Sequence, residues 1–157
     1  MADQPTEEED LRWHRRFAAE SNNRAWRLSE ASARSPAEDE EMLNAAHAAA
    51  LHWSKVGTEL NAARADMLLG HIHALLGHGD SAMRYAGSSF KYFTAHETEP
   101  WELAFAHAVL ANAASVADDV DTHARHYAIA KELGGNLSNA EERRIFEATF
   151  AHVPAPR

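Results

Sequence analysis

Apolar side chains recur along this chain at three- and four-residue intervals, and strand-like alternation is almost absent. That periodicity predicts helices, each with one face turned to a neighbour. A first helix is predicted from about Glu7 to Ala31. At 100° per residue, Leu11, Trp13, Phe17, Ala18, Ser21, Ala25 and Leu28 fall on one broad arc, flanked by Trp26, with Arg12, Arg16, Asn23 and Arg27 largely outside it. A second helix starts at Ser35-Pro36 and carries Met42, Ala45, Ala46, Ala49 and Trp53 to about Lys55. Gly57 makes a turn, and Thr58 caps a third helix through Met67, Leu68, Ile72 and Leu76. After Gly77-His78-Gly79-Asp80, a fourth helix presents Ala82, Tyr85, Ala86, Ser89, Phe90 and Phe93. Pro100 opens a fifth with Leu103, Phe105, Leu110 and Ala114. Asp118-Asp119 breaks the chain before a sixth, which ends at Gly134-Gly135. A seventh, using Ile145, Phe146, Thr149 and Phe150, precedes a tail with Pro154 and Pro156.

Helix starts are signposted independently. Thr6 with Glu9, Ser35 with Glu38, and Ser138 with Glu141 each set a hydroxyl three residues before a carboxylate. That spacing lets side chains satisfy the orphan amides of a first turn reciprocally. Seven helices with short connections pack as sequential antiparallel hairpins, so the expected fold is all-α. The expected organisation is one domain over residues 1–157. Residues 1–34 hold the N-terminal helix, 35–133 the stacked hairpins, and 134–157 a capping helix and tail.

Composition narrows the function classes. Apolar residues make up 45% of 157, enough for a sizeable core. A formal charge of −9 disfavours nucleic acid and anionic lipid as partners, because both require positive charge at phosphate. Cysteine is absent, which removes disulfides, thiol nucleophiles and thiolate metal sites. No secretion signal opens the chain and no stretch is apolar enough to span a membrane, so the expected location is the cytoplasm.

Two segments look alike. Leu69-Gly70, the Gly77 turn and Ala82-Met83-Arg84-Tyr85-Ala86 parallel Leu110-Ala111, the Asp118 turn and Ala124-Arg125-His126-Tyr127-Ala128. Small residues one turn apart let helix backbones approach. With Leu69, Gly70, Gly77 and Ala82 at its motif positions, residues 60–133 resemble tetratricopeptide-like (TPR-like) helical repeats. The chain departs from that pattern at Asp66, His73 and Ala86, and its period is 41 or 42 residues rather than 34. The resemblance implies a short right-handed array of hairpins holding a protein or peptide on a concave surface. The whole chain also resembles uncharacterised bacterial proteins of this kind, notably through His52-Trp53-Ser54-Lys55-Val56-Gly57-Thr58, from which no activity carries over.

Catalytic constellations are missing. There is no His-Glu-x-x-His, no paired Glu-x-x-His, and no phosphate loop, since Gly77-x-Gly79 lacks the following Lys-Ser/Thr. No cofactor is expected, and the reading is non-enzymatic. Eleven histidines nevertheless invite a metal hypothesis. His71 and His73 diverge by about 200° on a helix and His47 and His52 by about 140°. His123 and His126 lie one turn apart, close after Asp119 and Asp121, and these four are the candidate ligands of the alternative reading, a small metal-binding or metal-dependent helical protein. The leading reading is a scaffold that binds a protein or peptide, with Trp53, His73, Tyr85 and Tyr92 as candidate contact residues. The same Trp53, His73 and Tyr85 could instead line a ligand pocket. A homodimer is expected to form through the broad arc of the first helix.

Overall fold

Helix starts show most directly how local chemistry sets the architecture. In the computed structural model, which describes residues 4–157, the Thr6 amide donates to Glu9 Oε2 at 2.8 Å and the Glu9 amide donates to Thr6 Oγ1 at 3.2 Å. The Thr6 amide first, and then the Thr6 hydroxyl, which donates to the same oxygen at 2.9 Å, hold the Glu9 carboxyl below its ordinary range. Ser35 and Glu38 repeat the exchange at 2.7 and 3.2 Å. Thr58 does the same with the amide oxygen of Asn61, at 3.1 and 3.4 Å. The third expected box is displaced by one residue. Asn139, not Ser138, caps the last helix, its Oδ1 accepting from the amides of Glu141 and Glu142 at 3.0 Å each.

The described residues form seven helices and no strand, each helix packing beside a neighbour in a hairpin-like array. They are α1 (Glu7–Ser29), α2 (Pro36–Val56), α3 (Glu59–Leu75), α4 (Gly79–Ala95), α5 (Pro100–Val116), α6 (Val120–Gly135) and α7 (Ala140–Phe150). The chain divides into two compact units, one ending at Ala65 and one running Asp66–Arg157.

In the first unit α1 packs along α2. The buried positions are small: Ala18 and Ala25 on α1, Ala46 and Ala49 on α2, with Met42 and Leu28 as the larger fillers. Alanine faces let helix axes approach closely and lose little side-chain entropy on burial. Arg34 closes the connection, with Nε 2.6 Å from Asp39 Oδ1 and Nη1 donating to the Leu28 carbonyl at the end of α1.

The second unit is built around α5, in which every residue from Ala104 to Ala114 is buried. It packs against α4, α6 and α7. A helix apolar almost all round is what a central position requires. The α3–α4 contact is also close. A Cβ added to Gly70 would lie 2.8 Å from the Ala86 backbone nitrogen, so hydrogen at position 70 is what permits this approach. Phe146 packs edge-on to Phe105 at 5.6 Å and stacks with Phe150 at 5.3 Å, while Ile145, expected to point inward, is 41% exposed.

The two similar segments share a turn. Gly77 has φ +75° and Asp118 has φ +59°, and these are the positive-φ residues of the described chain. The next residues, His78 and Asp119, have φ −88° in both cases, with ψ 76° and 83°. Their amides donate five residues back, to His73 O at 2.8 Å and to Ala114 O at 3.0 Å. These are left-handed helix terminations of one type, set 41 residues apart.

Candidate functional site

The first unit carries an unusual surface. On α1, Trp13 is 49% and Phe17 41% exposed, although both fall on the arc expected to pack inward. The reason is angular. Ala25, buried and facing α2's side of the helix, lies about 120° around α1 from Trp13. The arc is therefore two faces, one of alanines turned in and one of aromatics turned out. Trp13 and Phe17 stack on each other, with ring centroids 5.6 Å apart and planes 19° from parallel. The Arg16 guanidinium lies 5.5 Å from the Trp13 ring centroid and pairs with Glu20 at 2.8 Å.

Phe17 continues the cluster onto α2. Its ring is 5.7 Å from that of His52, and His52 Nδ1 is 2.8 Å from His14 Nδ1. Four rings from two helices thus form one continuous strip. Between the same helices lies a shallow open trough of about 410 Å³, lined by Glu20, Ser21, Arg24, Glu41, Asn44, Ala45 and Ala48, with Arg24 and Glu41 paired at 2.6 Å. That hydrogen bond raises the Arg24 guanidinium and lowers the Glu41 carboxyl.

Among the described residues the histidine contact recurs at two further places. His73 and His78 face each other across the α3–α4 turn, Nδ1 to Nδ1, at 3.0 Å. His107 on α5 and His126 on α6 do so at 2.8 Å, with the Phe90 ring edge-on to both, at 5.0 and 5.1 Å. A pair of neutral imidazoles in this geometry bonds with one ring donating and the other accepting. Burial, and then the neighbouring His126, push His107 down to about 4. His126 is also lowered, by its own burial first and by Arg125 second, with Asp119 opposing.

The residues singled out from the sequence divide between these features. His73 is buried and its ring stacks on Tyr85 at 5.5 Å, 4° from parallel. Arg84 covers Tyr85 at 4.5 Å and donates to its hydroxyl at 2.8 Å. Tyr92, two turns further along α4, stacks on His96 at 4.0 Å. Trp53 is half-buried and belongs to the first unit. The geometry thus joins His73 with Tyr85 in the second unit.

Of the four candidate metal ligands, three have partners elsewhere. Asp119 caps α6, accepting from the Thr122 amide at 3.1 Å; the Thr122 side chain first, and then this amide, hold its carboxyl below the ordinary range. His123 Nε2 donates to the Pro154 carbonyl at 2.7 Å, His126 faces His107, and Asp121 is exposed. Among the described residues no group of three or more histidine, aspartate or glutamate side chains is arranged to hold an ion.

No family model, no curated protein and no solved structure matches this chain. Among the described residues no helix is long and apolar enough to cross a membrane. The sequence reading placed Trp13 and Phe17 on the arc expected to meet a second copy but did not part them from the alanines, because hydrophobic periodicity does not separate a core face from an exposed one. The signal was present in Arg16, one turn from Trp13, and in the alanine line 120° away.

Proposed function

We propose that this protein is a non-enzymatic, TPR-like helical scaffold of the cytoplasm that binds a protein or peptide, and that its principal docking face is the Trp13–Phe17–His52 strip. The observation that carries the reading is the exposure of two stacked aromatic rings on an otherwise polar helix face. With about half of each residue already covered, leaving the remainder in water forgoes roughly 1 kcal/mol each. Aromatics that combine with arginine on a surface are the residue types that dominate protein interfaces. The strip also rests on two rigid helices, so little ordering cost is added on binding. Tyr85 and Tyr92 on α4 offer a secondary contact surface.

A displayed peptide library selected on the purified protein tests this. Selected peptides should lose at least tenfold in affinity with Trp13→Ala or Phe17→Ala, and keep it with Ile145→Ala, another exposed apolar residue. Peptides that bind the wild-type protein and the α1 variants equally would overturn the assignment of the face.

A further inference from the structure

The charge distribution along α1 says what kind of protein fits its aromatic face. The first turn is acidic, with Glu7, Glu8, Glu9 and Asp10. Between residues 11 and 29 the balance reverses to five arginines against one glutamate, in a chain whose formal charge is −9. The helix is therefore acidic at one end and basic beyond it, with Trp13 near the changeover.

Resting on the reading of this face as a docking surface, we propose that its occupant is a second copy of this chain, the two α1 helices crossing antiparallel at Trp13. An antiparallel crossing there sets residue 13+n of one helix opposite residue 13−n of the other. The indoles meet on the twofold axis, and Asp10 of each copy faces Arg16 of the other. Parallel, in-register pairing would instead set acid against acid and arginine against arginine. A self-complementary patch is what a twofold interface requires, and close opposite charges fix its register.

Area bounds the strength. Thr6 to Glu20 spans about 21 Å at 1.5 Å per residue on a helix about 10 Å wide. That footprint is below the roughly 800 Å² per partner of a standard interface. The expected dimer is therefore concentration-dependent, with a dissociation constant on the order of micromolar to tens of micromolar.

Sedimentation velocity from about 1 to 500 µM is the test. The wild-type protein should pass from monomer to dimer, and Trp13→Ala should stay monomeric with unchanged helical circular dichroism. Asp10→Arg and Arg16→Asp should each weaken the dimer at least tenfold, and the double variant should recover most of the loss, because reversed charges still match across a twofold axis. A monomer throughout, or a double variant weaker than either single one, would overturn the proposal. A photoreactive side chain at position 13, irradiated in cells, separates this from the broader reading. An adduct of twice the chain mass supports the second copy. An adduct with a different polypeptide overturns the second copy but keeps the docking face, and no polypeptide adduct overturns both.

Discussion

Gly70 is the residue on which the close packing of α3 against α4 depends, and Gly70→Ala tests it. The added methyl carbon would sit 2.8 Å from the Ala86 nitrogen, 3.1 Å from its Cα and 3.2 Å from its Cβ. Two of these are backbone atoms in the middle of α4, so no side-chain rotation relieves the overlap. Overpacking of this kind costs about 1–3 kcal/mol. Alanine returns up to about 1 kcal/mol through helix propensity, leaving a net loss of about 1–2 kcal/mol. Gly87 supplies the internal control. It lies within α4, one residue beyond Ala86, and an added Cβ meets nothing within 4 Å. Gly87→Ala should therefore gain about 0.5–1 kcal/mol. In thermal melts followed by circular dichroism, Gly70→Ala should fall by about 3–6 °C and Gly87→Ala should rise by about 2 °C. Equal stability of the two variants, or Gly70→Ala above wild type, would show that α3 and α4 are not held at this distance.

The paired turns predict an asymmetry: Asp118→Gly should stabilise by up to about 1 kcal/mol, and Gly77→Ala should destabilise by about the same, because both positions have positive φ. Urea midpoints read both. Acid sensitivity follows from His107, whose folded-state value of about 4 lies below the ordinary 6.5. Between those values the unfolded chain binds more protons than the folded one, so stability is complete above pH 6.5 and falls as pH approaches 4. The shift corresponds to at most about 3 kcal/mol, and partial solvation on the His126 side reduces the expectation to about 1–2 kcal/mol. His107→Phe should flatten that part of the pH–stability profile, and an unchanged slope would remove His107 as its source. A double-mutant cycle with His14→Ala and His52→Ala should return a coupling of about 0.5–1.5 kcal/mol; zero coupling would mean the 2.8 Å contact contributes nothing.

Much of the fold was legible because helix starts and stops are written in local chemistry. The Thr6 and Ser35 boxes, Pro36 and Pro100 in first turns, and the Gly77 turn all lie where spacing alone put them. The Ser138 box slipped by one because Asn139, the adjacent residue, reaches two amides. The candidate site was less legible. Capping depends on neighbours three residues apart, whereas exposure depends on which of two faces a distant helix covers. Trp13 and Phe17 satisfy the same periodicity whether or not α2 lies over them. Likewise His107 and His126 are 19 residues apart and His14 and His52 are 38 apart, so no intrahelical spacing rule joins them.

The histidine content becomes intelligible once those contacts are drawn. A neutral imidazole presents one donor and one acceptor in a single flat ring, so two of them satisfy each other across a helix pair. Two lysines or two carboxylates at the same separation would repel, and two leucines would leave nothing to fix the register. Among the described residues six histidines are engaged in such pairs: two between α1 and α2, two at the α3–α4 turn, and two between α5 and α6. Alanine faces supply close approach but little specificity, because small side chains slide past one another readily. A directional imidazole contact in each of these three hairpins supplies the missing register. At His107, burial depresses the basicity of the ring and so keeps it in the neutral form that the contact requires.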